Sequence, residues 1–90
     1  MRIVWDEPKR LANLAKHGLD FQELDHGFHF AEAIIRPARV SRHGHPRWRA
    51  TGLLNGRIVS VIFSTLGSEA LAVVSLRPAH RSEREEHDRR

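Results

Sequence analysis

The spacing of apolar and polar residues changes several times along the chain, and each change predicts an element. Residues 1–5 carry Met1, Ile3, Val4 and Trp5, a short apolar run that reads as a strand. Asp6, Glu7 and Pro8 then supply an N-cap, an acid for the helix dipole and a proline in the first turn, where a missing N–H costs nothing. The helix that follows carries Leu11, Ala12, Leu14 and Ala15 and stops at Lys16-His17-Gly18, with cations in its last turn and a glycine free to adopt the left-handed conformation. A second helix is predicted from Asp20. Glu23 stands three residues on, as in a capping box; Leu19 and Leu24 fit a hydrophobic staple, and Phe21, Leu24 and Phe28 form a stripe that Gly27 weakens. Residues 33–40 contain Ile34, Ile35 and Val40 but are interrupted by Pro37, which restricts them to an edge or kinked strand. Arg42-His43-Gly44-His45-Pro46 reads as a loop.

Asn55-Gly56 lies between two alternating runs and selects a type I′ hairpin whose register follows from the turn. With Leu54 opposite Arg57, Trp48 pairs with Phe63, Ala50 with Val61 and Gly52 with Val59 on the core face. The other face then carries Arg47, Arg49 and Thr51 across from Ser64, Ile62 and Ser60, a basic, hydroxyl-bearing surface on which a phosphate backbone could lie. The run Ala70–Leu76 is apolar almost throughout, as in a strand covered on both faces, and completes an antiparallel meander. Pro78 and Ser82, with Glu85 three residues after the serine, mark a closing helix charged nearly all round, of the kind that packs weakly or waits for a partner. The expected fold is therefore α+β: an antiparallel sheet of N-terminal strand, kinked strand and three-stranded meander, with two N-terminal helices and a C-terminal helix.

Length adds that these elements make one domain, residues 1–90. The 90 residues contain no cysteine, which excludes a disulfide scaffold, a thiolate zinc site and a cysteine nucleophile. No apolar run approaches the ~20 residues needed to cross a bilayer, and the N-terminus lacks an apolar signal core, so a cytoplasmic, non-membrane protein is expected. The net charge of +4 is unevenly placed. Residues 33–68 hold Arg36, Arg39, Arg42, Arg47, Arg49 and Arg57 and no carboxylate at all. Such a stretch projects a positive field toward a polyanion, and arginine forks match phosphate geometry, which puts nucleic acid first among partners.

Trp5-Asp6, Asn13, Lys16-His17-Gly18 and Phe21 with Glu23 resemble the opening of the BrnT toxins of bacterial toxin-antitoxin modules. Arg47-Trp48 with Gly52, Gly56-Arg57 leading into Val59–Phe63, and Ser75-Leu76-Arg77-Pro78-Ala79 with Glu83-Arg84 are similar to that family's second half, in the same order. The resemblance implies a RelE-like ribonuclease fold and a growth-arresting endoribonuclease that needs no metal or cofactor. It also implies neutralisation by a BrnA-like ribbon-helix-helix antitoxin in a hetero-oligomer, with operator DNA bound through the antitoxin. Carried onto this chain, it places catalysis on Lys16, His17, Glu23, Arg47 and Arg77, while Arg49 and Thr51 of the hairpin's basic face, with Arg57, are the expected RNA contacts. Arg47 and Arg77 would grip the scissile phosphate, His17 or Glu23 would move protons, and Lys16 would stabilise charge.

Each of these residues also has a structural reading. Lys16 and His17 meet a helix dipole, Glu23 fits a capping box, and Trp5, Trp48 and Phe63 fall on the core face. His43 and His45 flank a glycine in a loop and have no assigned carboxylate partner for a metal. Three features depart from the resembling family: no arginine follows Thr65, where Leu66-Gly67 stands, none lies in Ala70–Val74, and His45-Pro46 replaces an acid before Arg47. These losses keep open a non-catalytic nucleic-acid- or antitoxin-binding module of the same fold. A third reading is an adaptor that binds a partner strand along the Pro37 edge.

Overall fold

The computed structural model describes residues 2–90, so the predicted strand's Met1 lies outside the described residues. In chain order the elements are β1 (Arg2–Trp5), α1 (Glu7–His17), a single-turn α2 (Leu24–Gly27), β2 (Ile34–Pro37), β3 (Trp48–Leu54), β4 (Arg57–Leu66), β5 (Ala70–Pro78) and α3 (Arg81–Arg89). The strands form one five-stranded sheet in the order β1-β5-β4-β3-β2.

The hairpin has the register expected from its turn. Asn55 (φ 50°) and Gly56 (φ 84°) both adopt positive φ, and Trp48 pairs with Phe63, Ala50 with Val61, Gly52 with Val59 and Leu54 with Arg57. β2 is an edge strand, antiparallel to β3, and ends at Pro37, where a missing N–H leaves no neighbour unsatisfied. One expectation is corrected: the sheet is mixed, because β1 runs parallel to β5, with Arg2 opposite Ala70 and Trp5 opposite Val73. Turn and alternation patterns define contacts between neighbours in sequence, whereas β1 finds its partner more than sixty residues away.

The second helix is shorter than its stripe predicts. The capping box forms, Gln22 N–H donating to Asp20 Oδ1 at 2.9 Å and Asp20 N–H to Glu23 Oε2 at 2.9 Å, but it opens a 3₁₀ turn (Phe21–Glu23) followed by α2 alone. Phe28 is already extended and bridges Leu54. The break at Gly27 has a packing cause, since a Cβ there would lie 2.9 Å from Leu54 Cδ1 and 3.0 Å from Asn55 Oδ1.

One face of the sheet, with Phe21, Leu24, Phe28, Ala50, Leu54, Val59, Val61, Phe63, Leu71, Val73 and Leu76, makes the core. Trp5 and Trp48 pack against it, and Trp5 meets Phe21 edge-on with ring centroids 6.1 Å apart, so these aromatics serve packing. α1 contributes differently from its leucines. Leu11 and Leu14 are exposed, and the buried residue is Asn13, whose amide donates to Leu76 O at 2.8 Å and Leu19 O at 3.1 Å and accepts from Leu76 N–H at 3.1 Å. β1 pairs with β5 only as far as Val73, and Asn13 occupies the open edge beyond it, fixing the end of α1 against β5. Gly18, at φ 69°, then ends α1 with its N–H on Leu14 O. No described helix is long and apolar enough to cross a membrane.

Candidate functional site

The second face of the sheet carries Arg36, Arg49, Thr51, Ser60, Ile62, Ser75 and Arg77, because odd positions of β3 and β5 align with even positions of β2 and β4. At its β2–β3 end Arg39, Arg47, Arg49 and Arg77 converge with Pro37, Ala38 and Ile62 around a groove of about 390 Å³. No acid lines it. Ala38 N–H donates to Arg47 O at 2.9 Å, continuing the β2–β3 pairing one step and fixing the Arg47 backbone. The buried Nε atoms of Arg47 and Arg49 have no protein acceptor.

The central arginines are not left without counter-charge, because α3 supplies it from the C-terminus. Arg36 pairs with Glu86 at 2.6 Å, and Arg49 with Glu83 at 3.3 Å and Glu86 at 3.7 Å. Arg77 forks onto Glu83, NH1 to Oε1 at 2.8 Å and NH2 to Oε2 at 2.9 Å. Among the described residues Arg39, Arg42, Arg47 and Arg57 have no ion-pair partner. The closing helix thus packs by charge, and Glu83, not Glu85, accepts the N-cap amide of His80, at 2.9 Å.

Burial alone would raise the Glu83 carboxyl, but hydrogen bonds from Arg77, the His80 amide and Ser60, with the Arg77 charge, outweigh it and hold the group at about 2, below its ordinary 4.5. The stabilisation is therefore complete above about 4.5 and disappears as the pH falls toward 2, on the order of 3 kcal/mol for a group only 5 % exposed. Urea unfolding at pH 7 and pH 3 should show the wild-type midpoint falling more than that of Glu83→Gln; equal falls would show that Glu83 carries no such linkage.

Lys16 and His17 lie at the end of α1, around a shallower groove of about 240 Å³ shared with Lys9, Asn13, Val74 and Ser75. Ser75 pairs with Ile62 of the arginine groove, so the two hollows adjoin along β5. Burial, then the charges of Lys16 and Arg77, lower the His17 pKa below 6.5 and favour a neutral imidazole at neutral pH.

The remaining candidates lie elsewhere. Glu23 accepts from the Asp20 amide and from Asn55 Nδ2 at 3.3 Å, at the hairpin tip, roughly 25 Å along β3 from Arg47. Its capping role won because the backbone donor lies three residues away. Arg57 is exposed at the same tip, and Thr51 is 1 % exposed with its hydroxyl on Ser60 Oγ at 2.9 Å, so Thr51 has no surface to offer RNA. Arg39 and Glu83, both absent from the sequence-based site, belong to this cluster; only the acid-free stretch around Arg39 signalled its part. Another hollow, of about 360 Å³, lies at the tip between His26, His29, Glu32 and His87. Among the described residues no three His, Cys, Asp or Glu side chains gather to hold a metal.

A small α+β fold presenting convergent arginines beside a histidine whose pKa is lowered defines a basic protein with an arginine-lined groove. The chain belongs to the BrnT family, described as the ribonuclease toxin, BrnT, of type II toxin-antitoxin systems, which residues 5–83 match. Among solved structures it is similar to the Brucella abortus ribonuclease toxin BrnT, solved at 1.1 Å, with 45 % identity over 90 % of this chain and 99 % of that one and a TM-score of 0.72. A search of curated proteins finds no match. Membership implies an RNA target and an antitoxin partner.

Proposed function

We propose that this chain is a metal-independent endoribonuclease whose cleft is the arginine groove together with the end of α1. The carrying observation is the convergence of Arg39, Arg47, Arg49 and Arg77 beside Ile62, next to the Lys16-His17 junction. Cleavage through the neighbouring 2′-hydroxyl needs a base for that proton and cations for the charge of the phosphorane. Arg77 and Arg47 hold the scissile phosphate, neutral His17 accepts the 2′ proton as the 2′-oxygen bonds to phosphorus, the P–O5′ bond breaks with the leaving 5′-oxygen taking a proton from water, and Lys16 stabilises the developing charge. Arg49 and Arg39 bind the adjacent backbone. Glu23 and Thr51 fall outside this assignment, and Arg57 serves at most a distant stretch of RNA.

A cytoplasmic BrnA-like ribbon-helix-helix antitoxin fits as the partner, with operator DNA bound through it. An antitoxin that covers the groove would block the phosphate site and neutralise its charge in one step.

The proposal is tested by the pH dependence of RNA cleavage by purified chain. Because the His17 pKa lies below 6.5, the wild-type rate should rise with pH through a midpoint under that value and level off by neutrality. His17→Ala should lower the plateau by roughly 100- to 10,000-fold, the usual worth of a positioned base, and abolish the acid limb. A variant with an unchanged rate and profile would remove His17 from the chemistry. The alternative, a nucleic-acid-binding module without nuclease activity, keeps one observation in its favour: Leu66-Gly67 and Ala70–Val74 contribute no arginine.

A further inference from the structure

Glu83 is the most heavily engaged side chain on the basic face. Its Oε1 accepts from Ser60 Oγ at 2.7 Å, Arg77 NH1 at 2.8 Å and the His80 amide at 2.9 Å. Its Oε2 accepts from Arg77 NH2 at 2.9 Å and faces Arg49 NH1 at 3.3 Å. Thr51 backs this arrangement through its hydroxyl on Ser60, 2.9 Å away. The carboxylate is 5 % exposed, so its lone pairs are filled and it has neither room nor capacity to take a proton from a substrate.

Two arginines of the groove therefore converge on one carboxylate from different strands, β5 and β3. A guanidinium has five N–H donors, and a fork to a carboxylate uses only part of them. Pairing with Glu83 thus leaves Arg77 and Arg49 with donors for a phosphate while removing most of their conformational freedom. Free arginine side chains lose rotamer entropy on being fixed, and that loss is here taken on folding instead of on binding RNA. Glu86 differs: it is more exposed, its close pair is Arg36 at 2.6 Å, and it reaches the network only through Arg49 at 3.7 Å.

We propose that Glu83 is a positioning residue of the cleft, holding Arg77 and Arg49 aligned on the scissile phosphate from behind. This rests on the ribonuclease reading given above. It has a consequence that a purely structural role lacks. Removing the carboxylate charge unmasks cation on the basic face, so RNA should bind as tightly or more tightly while being cleaved more slowly.

The test uses the full chain, wild type and Glu83→Gln, with a single-stranded RNA oligonucleotide for kcat and its fully 2′-O-methylated form, which cannot be cleaved, for Kd. For Glu83→Gln the expected result is a kcat lower by roughly 10- to 100-fold, the scale of losing aligned donors. Kd should be equal or smaller, and its logarithm should change with log salt by up to ~0.7 more per unmasked cation. A kcat within twofold of wild type would overturn the proposal, as would kcat and binding that fall together with the folded fraction. If Glu83→Gln does not fold, Ser60→Ala decides, since it keeps the charge and loosens the carboxylate: a several-fold fall in kcat with unchanged Kd and Tm supports the proposal, and an unchanged kcat overturns it. A wild-type chain that cleaves no RNA would overturn the ribonuclease reading and this proposal together, whereas a wild-type rate in both variants would overturn this proposal alone.

Discussion

Arg77→Ala is expected to reduce RNA cleavage by roughly 100- to 1,000-fold, the usual cost of removing one fixed donor to charge that develops in the transition state. The loss has two parts. Arg77 contributes a guanidinium to the groove, and it also supplies both forked bonds to Glu83. Alanine would leave the buried Glu83 carboxylate with only Ser60, the His80 amide and the more distant Arg49 as partners, and breaking one side of such a pair typically costs about 3–5 kcal/mol. The variant should therefore unfold at lower urea as well as cleave slowly. Arg47→Ala separates the two effects, since Arg47 lines the same groove but makes no ion pair with α3. It is expected to lose comparable activity with a urea midpoint near that of wild type. Full activity in Arg47→Ala and Arg77→Ala would place the chemistry elsewhere on the molecule.

Asn13→Ala should have the largest effect on stability of any single substitution in α1. The side chain stands in for a neighbouring strand at the edge of β5, and its removal leaves Leu76 N–H and the Leu76 and Leu19 carbonyls without their partner. Each buried polar group left unsatisfied costs about 1–3 kcal/mol, so a total of roughly 3–5 kcal/mol is expected after partial relaxation. Equilibrium unfolding followed by circular dichroism measures it directly. A change below 1 kcal/mol would mean that α1 is held against the sheet by other contacts. Because Asn13 also borders the Lys16-His17 groove, the surviving folded fraction should cleave more slowly than wild type.

The parts of the fold that the sequence made legible were those governed by local rules. Asn55-Gly56 set the hairpin register pair by pair, Lys16-His17-Gly18 ended α1, and Pro37 put β2 at an edge. The parallel pairing of β1 with β5 escaped because nothing local distinguishes the two orientations of a four-residue strand. The second helix is shorter than its stripe predicts because Phe21, Leu24 and Phe28 serve different elements, with Gly27 required by the approach of Leu54 and Asn55.

The site was legible in its cations and illegible in its counter-ions. Arg47, Arg49 and Arg77 do meet, and Lys16 with His17 stands beside them. The resemblance points to Glu23 and strand alternation to Thr51, but a cap and a buried hydroxyl network claim them. Glu83 stands among the residues that resemble the family, but it lies in a run charged nearly all round, where no alternation of apolar and polar positions marks one glutamate as buried beneath the others. Its partners, Ser60, Arg77 and Arg49, come together only through the sheet register.

The central claim is that this chain cleaves RNA through the arginine groove. The most direct measurement is induction of the wild-type chain and of Arg77→Ala at equal folded abundance in bacteria, with growth followed and the ends of the cellular RNA fragments mapped. The expected result is growth arrest for wild type alone, with fragments ending in 2′,3′-cyclic phosphate, the product of attack by the neighbouring hydroxyl. Intact RNA and undisturbed growth with the wild-type chain would contradict it and would favour the binding module without nuclease activity.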